Sequence, residues 1–476
     1  MKYKTLIGLE IHAELLTDSK IFCGCSTIFG KEENTQCCPI CLGLPGTLPV
    51  INKRVIEMAI RAGFALNCEI AKKSKMDRKH YFYPDLPKAY QISQYNKPLC
   101  THGKITIEKE NKETKEIRIR RIHIEEDAGK SIHPEEEGSL VDYNRAGVPL
   151  IEIVTEPDMT SSKEACQFLE KLKAILQYIG VSDCKMEQGS LRCDLNINVQ
   201  VEGNHLVSEI VEIKNLNSFK AVGKAIEYEE KRHIALLEKN KNTQKETRRW
   251  DEEKKQTILM RRKEYAEDYR YFSDPDLVVL EINEKWVKEI QAHLPELPAD
   301  KQKRFIRDYD LPLYDAEILT STREMADYFE DIVKEFEHPK MISNWIMTEL
   351  YRNLKEREGC IKDLKFQIRD FVQLLKYIEE GIISNNIGKK VFHEMYETGK
   401  KPETIVKEKG WIQVSDENLI KEMVQSVVHE HPQSVIDYKS GKERVLGFLV
   451  GKVMKMSKGK ANPQIVNTLI KEALKE

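Results

Sequence analysis

The chain has 476 residues, 40% apolar and 32% charged, a balance suited to well-solvated surfaces around roughly two to four separate cores. Its 76 Lys+Arg and 78 Asp+Glu leave a formal net charge of −2, so contact with nucleic acid has to come from local basic patches rather than a global field. No apolar run approaches the roughly 18 residues of a membrane span, and the start, Met1-Lys-Tyr-Lys4, lacks the apolar core of a signal peptide. A cytoplasmic protein with no membrane partner is therefore expected. The cysteines number 11, and an odd count argues against a fully paired disulfide framework.

Lys4–His12 alternates as a strand. Thr5, Ile7, Leu9, Ile11 and Ala13 take one face, and Gly8, Glu10 and His12 the other. A carboxylate and an imidazole side by side can ligate a divalent cation, act as an acid/base couple or simply face solvent. Cys23-Gly-Cys25 and Cys38-Pro-Ile-Cys41 follow. Two such knuckles have the spacing of a four-thiolate zinc site, with Cys23, Cys25, Cys38 and Cys41 as ligands and Cys37 pointing away. Four sulfurs leave no open position, so that zinc would be structural. The alternative is a set of buried or chance thiols.

Residues 53–67 carry apolar residues at helical spacing. Residues 74–93 mix aromatics, prolines and bases and are expected to form a structured loop, with Lys75, Arg78, Lys79 and Lys88 able to hold phosphates. Residues 104–127 alternate as strands, with a phase slip at Arg120-Arg121 that a bulge would cause. Past it, Arg121, His123, Glu125 and Asp127 share a face. A further strand carries Glu152, and Ser161 or Ser162 caps a helix running to about Ile179. Arg192, Asp194, Asn196 and Asn198 line one face of 190–201, and Glu212 and Lys214 one face of 208–217. Many strands with one apolar and one polar face predict an α+β fold whose N-terminal part is a mostly antiparallel sheet. From Leu294 the pattern turns helical. The expected domains are 1–293, an all-α region 294–405 and a small helical tail 406–476. In the tail, Lys452, Lys455, Lys458 and Lys460 form a basic patch suited to a phosphate backbone, with a plain solvated helix as the alternative.

Six stretches together resemble the B subunit of the aspartyl/glutamyl-tRNA amidotransferase family over nearly the whole chain. They are Gly8-Leu-Glu-Ile-His12, Asp77–Ser93, His123-Ile-Glu-Glu-Asp-Ala-Gly-Lys130, Leu191-Arg-Cys-Asp194, Lys214-Asn-Leu-Asn-Ser-Phe219 and the C-terminal Gly447–Pro463. The resemblance implies a cradle domain, a helical domain and a tRNA-docking tail. It also implies ATP-dependent phosphorylation of the side-chain carboxylate of a misacylated Glu-tRNA(Gln) or Asp-tRNA(Asn). Amidation follows with ammonia from the glutaminase, or A, subunit, in a heterotrimer completed by the C subunit. On this reading Glu10, His12 and Glu125 are the foremost Mg²⁺ ligands, with Glu152, Asp194 and Glu212 as further ones. Lys79 and Lys88 become clamps on phosphate or carboxylate, joined by Arg192 and Lys214 as nucleotide contacts. The chain carries no Walker-type glycine loop, no G-x-S-x-G elbow and no Cys at position 2, which fits a protein that uses ammonia made elsewhere. A non-enzymatic tRNA-binding scaffold and a stand-alone carboxylate–amine ligase are the competing classes.

Overall fold

The computed structural model describes the whole chain except residues 1, 110–111, 133–137, 204–205, 263–268, 358, 412–416, 440–443, 458–460, 462 and 476. It divides into two compact units, Met1–Pro298 and Ala299–Glu476. Among the described residues, no helix is long and apolar enough to cross a membrane.

The first unit is built on a nine-stranded sheet with the N-terminal strand, Tyr3–Glu14, at its centre. On one side it pairs with Leu191–Val201, followed outward by Val211–Lys214, Glu246–Asp251 and Gln256–Arg262. On the other it pairs with Pro149–Thr155, followed by Thr114–Glu126, Cys100–Glu108 and the short edge Glu69–Ile70. Every pairing is antiparallel except that of Val211–Lys214 with Glu246–Asp251. The fold class is thus the α+β arrangement expected, a large sheet first and helices after it.

Period-2 alternation decides which face is buried. Ile7, Leu9, Ile11 and Ala13 lie in one core with Ile122, Ile124, Ile151, Ile153, Leu195 and Ile197. Helices Lys53–Ala65, Ser162–Tyr178 and Phe219–Glu238 contribute to the same core through Ile60, Phe168 and Val222. The last two helices start at serine caps. Ser161 accepts from the Glu164 N–H and Ser218 from the Ala221 N–H. The register slips between Val154 and Thr155, opposite Arg121 and Ile119, where the sequence predicts a bulge. Residues 74–93, expected as a loop, instead contain the short strands Asp77–His80 and Tyr90–Ser93, which pair with each other, and Asp77–His80 pairs on its other edge with Phe272–Ser273. The long-range partner Phe272–Ser273 supplies what the local pattern lacks.

The second unit is helical. Phe305, Phe329, Phe371 and Phe392 are buried in it, with Phe305 against Phe329 and Phe371 against Phe392. Its last residues have an apolar cluster of their own, built from Ile420, Val424, Leu449, Val453, Val466 and Ile470. That cluster is compatible with a separate tail, and the boundary at residue 406 stays a proposal.

One buried polar network fastens the Phe219–Glu238 helix to the sheet edge. Glu229 is fully buried and accepts from Arg232 at 2.7 Å, His233 at 3.2 Å and Thr257, with Arg248 at 3.3 Å. His233 reaches on to Ser208 at 2.8 Å. Ser208–His233–Glu229 has the order of a hydrolytic triad, yet the three residues are 3%, 0% and 0% exposed, so no substrate reaches the hydroxyl and the network is structural. Burial pushes the Glu229 carboxyl up, but the hydrogen bonds from His233 and Arg232 more than offset this and hold it down at about 2. A depressed carboxyl stabilises the fold fully above its unfolded value and loses that contribution as pH falls toward 2. Glu229→Gln is expected to cost about 3 kcal/mol in urea unfolding at pH 7, because it removes the fully buried charge that Arg232 and Arg248 share and leaves them only Glu246. The gap between variant and wild type should narrow as pH falls below about 4.5.

Candidate functional site

The polar face of the central sheet gathers the ionisable groups that the core face excludes. Antiparallel register sets Arg192, His12, Glu152 and His123 in one row across four strands. Glu125 follows two residues after His123, on the same face. The His12 Nε2 lies 3.3 Å from Glu125 Oε1 and 3.5 Å from Glu152 Oε2. His123 Nε2 lies 3.1 Å from Glu152 Oε2 and 3.7 Å from Glu125 Oε2. Ser93 donates to Glu125 at 3.2 Å. One ligand atom each from His12, Glu125 and Glu152 fall within 4.8 Å of one another, close enough for one divalent ion.

These charges hold one another in place. Burial pushes the His12 imidazole down, yet hydrogen bonds to Glu125 and Glu152 raise it to about 10. Burial likewise lifts both carboxyls, and the two imidazoles pull Glu125 and Glu152 far below the usual range. The group is a square of two imidazoles and two carboxylates, each opposing the other's burial. To ligate a cation, His12 must give up the proton it shares with the carboxylates.

The strands that carry His12 and Glu125 do not pair directly. Pro149–Thr155 lies between them and brings Glu152 into the group. Glu10 stands one step along the central strand, opposite Asp194, in a second cluster. It accepts from Asn196 at 2.9 Å, and Lys214 bridges Asp194 at 2.5 Å and Glu212 at 2.9 Å. Burial raises the Glu10 carboxyl, and the charges of Glu152, Glu212 and Asp194 raise it further. Burial lowers Lys214, but Asp194 and Glu212 more than restore it. Arg192 points to a third group, donating to Asp127 at 2.7 Å, with Arg145 Nε also 3.4 Å from that carboxylate. Nearby Glu14 is raised to about 7, by burial first and then by Asp127.

Of the basic residues of 74–93, three have internal carboxylate partners. Lys75 pairs with Asp77 and Arg78 with Asp274 and Asp276. Lys88 holds both oxygens of Glu126 at 2.6 Å. Lys79 differs. Its ammonium lies over the rings of Tyr81 and Tyr269, at 5.7 and 4.9 Å, and no carboxylate pairs with it among the described residues. His123, Ser93, Asn196, Glu126 and Asp127 complete these groups without having been singled out as site residues. His123 and Asp127 share the alternation of Glu125 and could have been found by it. Asn196 lies on the polar face that the alternation of 190–201 marks, whereas Ser93 and Glu126 carry no signal until the strands are paired.

The four cysteines also meet. Sγ atoms of Cys23, Cys25, Cys38 and Cys41 lie within 4.8 Å of one another, a spread that a tetrahedral zinc with sulfur bonds of about 2.3 Å spans. A hydrogen bond from Cys23 holds the Cys41 thiol down at about 4 against its burial, helped by the Cys38 N–H and Lys20. Burial pushes Cys25 up to about 11, and the bond to Cys41 pushes Cys23 up. Cys37 lies apart, against Asn144 at 3.8 Å. In the second unit, Lys452 and Lys455 project from the helix Arg444–Met456, Lys452 over the Phe448 ring at 5.1 Å. Lys458 and Lys460 lie outside the described residues.

Known proteins resemble this chain over its whole length. Residues 5–288 match the family described as the GatB/GatE catalytic domain, and residues 327–474 the family described as the GatB domain. The chain is 57% identical to the B subunit of the aspartyl/glutamyl-tRNA(Asn/Gln) amidotransferase of Thermoanaerobacter sp. (strain X514) over 474 residues, 100% of both chains. It is 58% identical to that of Caldanaerobacter subterraneus subsp. tengcongensis, again over 100% of both, and 56% identical to that of Clostridium tetani over 99% of both. This chain therefore belongs to the B-subunit family of the aspartyl/glutamyl-tRNA(Asn/Gln) amidotransferases.

Proposed function

We propose that this chain is the ATP-dependent, tRNA-modifying subunit of a glutamine-dependent amidotransferase, a ligase that forms a carbon–nitrogen bond. Its substrate is Glu-tRNA(Gln), Asp-tRNA(Asn) or both, and its partners are the glutaminase (A) and C subunits. One side-chain carboxylate oxygen of the misacylated amino acid attacks the γ-phosphorus of ATP, and ADP leaves. Ammonia from the glutaminase then attacks the acyl phosphate carbon, the C–O bond to phosphate breaks, and the amide and inorganic phosphate result. The observation that carries this reading is the adjacency of two ionisable clusters on one sheet face, His12–Glu125–Glu152 and Glu10–Asp194–Glu212 with Lys214.

Phosphoryl transfer depends on positioning and on neutralising charge. The donor set fits a hard divalent cation, since the carboxylates supply oxygen and His12 one nitrogen, a mixture that Mg²⁺ accepts less readily than Mn²⁺. Such an ion, when bound, supplies charge neutralisation on the phosphate oxygens. His12, Glu125 and Glu152 would hold one, and Glu10, Asp194 and Glu212 are the residues for another. Lys79, poised over two phenol rings, is the clamp for an incoming phosphate or carboxylate. Lys88, Arg192 and Lys214 would first have to release Glu126, Asp127, and Asp194 with Glu212. His123 keeps Glu152 ionised and oriented.

Glu10→Gln and Glu152→Gln keep size but remove charge. Each is expected to leave tRNA binding and assembly with the A and C subunits intact. Each should slow formation of the phosphorylated acyl-tRNA by about a thousandfold or more, as loss of several kcal/mol of metal stabilisation implies. Quench-flow with γ-labelled ATP measures this, and a wild-type rate in both variants would remove the sheet face from the chemistry.

The four-cysteine group is proposed to hold structural zinc. Protein purified without chelator should contain about one zinc per chain by elemental analysis. Cys38→Ser should lose it and fold poorly, because a structural zinc contributes on the order of 10 kcal/mol to folding. Full occupancy in that variant would move the metal elsewhere.

The tail is proposed to dock tRNA through Lys452, Lys455, Lys458 and Lys460. Replacing Lys452 and Lys455 with Ala should weaken tRNA binding and reduce the log–log salt slope by roughly 0.7–0.9 for each phosphate no longer neutralised. Filter binding across a salt series reads both, and an unchanged slope would assign the patch to plain solvation.

A further inference from the structure

Lys20 is fully buried. Its ammonium donates to Cys41 Sγ at 3.7 Å and to the Tyr143 carbonyl at 3.2 Å. Among the described residues no carboxylate pairs with it, although a buried cation without a counter-charge is expensive. Its backbone N–H meanwhile donates to the Cys25 carbonyl at 2.9 Å. One residue thus grips both knuckles, Cys25 through its main chain and Cys41 through its side chain.

The other end of the grip is the strap 141–147. Asn34 and Gln36, in the loop between the knuckles, bond to it from Val141 to Asn144. The Ile21 N–H donates to the Gly147 carbonyl at 2.9 Å. A Cβ at Gly147, where φ is +81°, would lie 3.6 Å from both Cys41 Cβ and Lys20 Cδ, so the strap runs close against the pair. The same strap carries Arg145, which donates to the Ala128 and Gly129 carbonyls and stands beside Asp127.

A zinc held by four thiolates carries two net negative charges. The missing counter-charge of Lys20 and the excess charge of such a centre complete each other. We propose that Lys20 is the positioning residue of the four-sulfur metal centre, its ammonium neutralising the Cys41 thiolate and tying the centre to the 141–147 strap. The proposal rests on the zinc reading above.

The test uses the full-length chain, wild type, Lys20→Met and Lys20→Arg, each loaded with zinc and then with cobalt(II). Transfer of zinc to a chromogenic chelator should be about 10–100-fold faster from Lys20→Met, the usual effect of losing a hydrogen-bond partner of a ligand. The sulfur-to-cobalt charge-transfer band should move to longer wavelength, because a thiolate without its cation binds its electrons less tightly. Lys20→Arg, which keeps the charge, should move both readouts back toward wild type. Zinc release from Lys20→Met at the wild-type rate overturns the proposal. So does faster release with an unshifted band, which marks lost packing alone. Should Lys20→Met fail to fold, reductive methylation of the wild-type chain decides: Lys20 should be labelled only after zinc is stripped, and equal labelling of loaded and stripped protein overturns the assignment. A wild-type chain that takes up no zinc, with Cys38→Ser indistinguishable from it, overturns the zinc reading itself.

Discussion

The first unit depends on keeping ionised groups stable on a sheet whose other face is core. His12, Glu125, Glu152 and His123 are each 21% exposed or less in the side chain, and none would stay charged there alone. They stay charged because two imidazoles and two carboxylates alternate within 3.1–3.7 Å. The mutual pairing offsets the desolvation that each would otherwise suffer.

That constraint explains why Glu10 and His12 stand on the central strand of the sheet. A residue on it sees a neighbour on each side, so Glu10 and His12 can reach carboxylates from both halves of the sheet. Glu10 meets Asp194 across one pairing, and His12 meets Glu152 across the other. Two ionisable clusters then lie side by side on one rigid element, a better platform for positioning two charged reactants than a loop. The buried Glu229 network lies at the sheet edge, where it fastens a helix.

The cysteine knuckles join the same balance of charge. They pack near Lys20 and the strap that delivers Arg145 to Asp127, and Asp127 also takes Arg192. The four-cysteine group at one end and the polar sheet face at the other are therefore linked through Lys20, the 141–147 strap, Arg145 and Asp127.

Much of this was legible from local pattern. The C-x-C and C-x-x-C spacings marked four sulfurs that do converge, because tight turns fix ligand geometry within a few residues. Alternation marked the polar faces of Tyr3–Glu14, Leu191–Val201 and Val211–Lys214, and a serine at 161 or 162 marked one helix start, because side-chain period and capping are properties of the backbone itself. Strand order and register were not legible, since both arise from contacts between residues far apart in sequence. Only the tertiary structure set Pro149–Thr155 between the strands of His12 and Glu125, made Glu152 their common partner and put Glu10 in a neighbouring cluster. It also paired Lys88 with Glu126 and left Lys79 over two rings, and it buried Lys20 against a cysteine. The sequence alone determined which residues carry charge toward the same face. Long-range pairing decided which of those charges touch, and so which can share an ion.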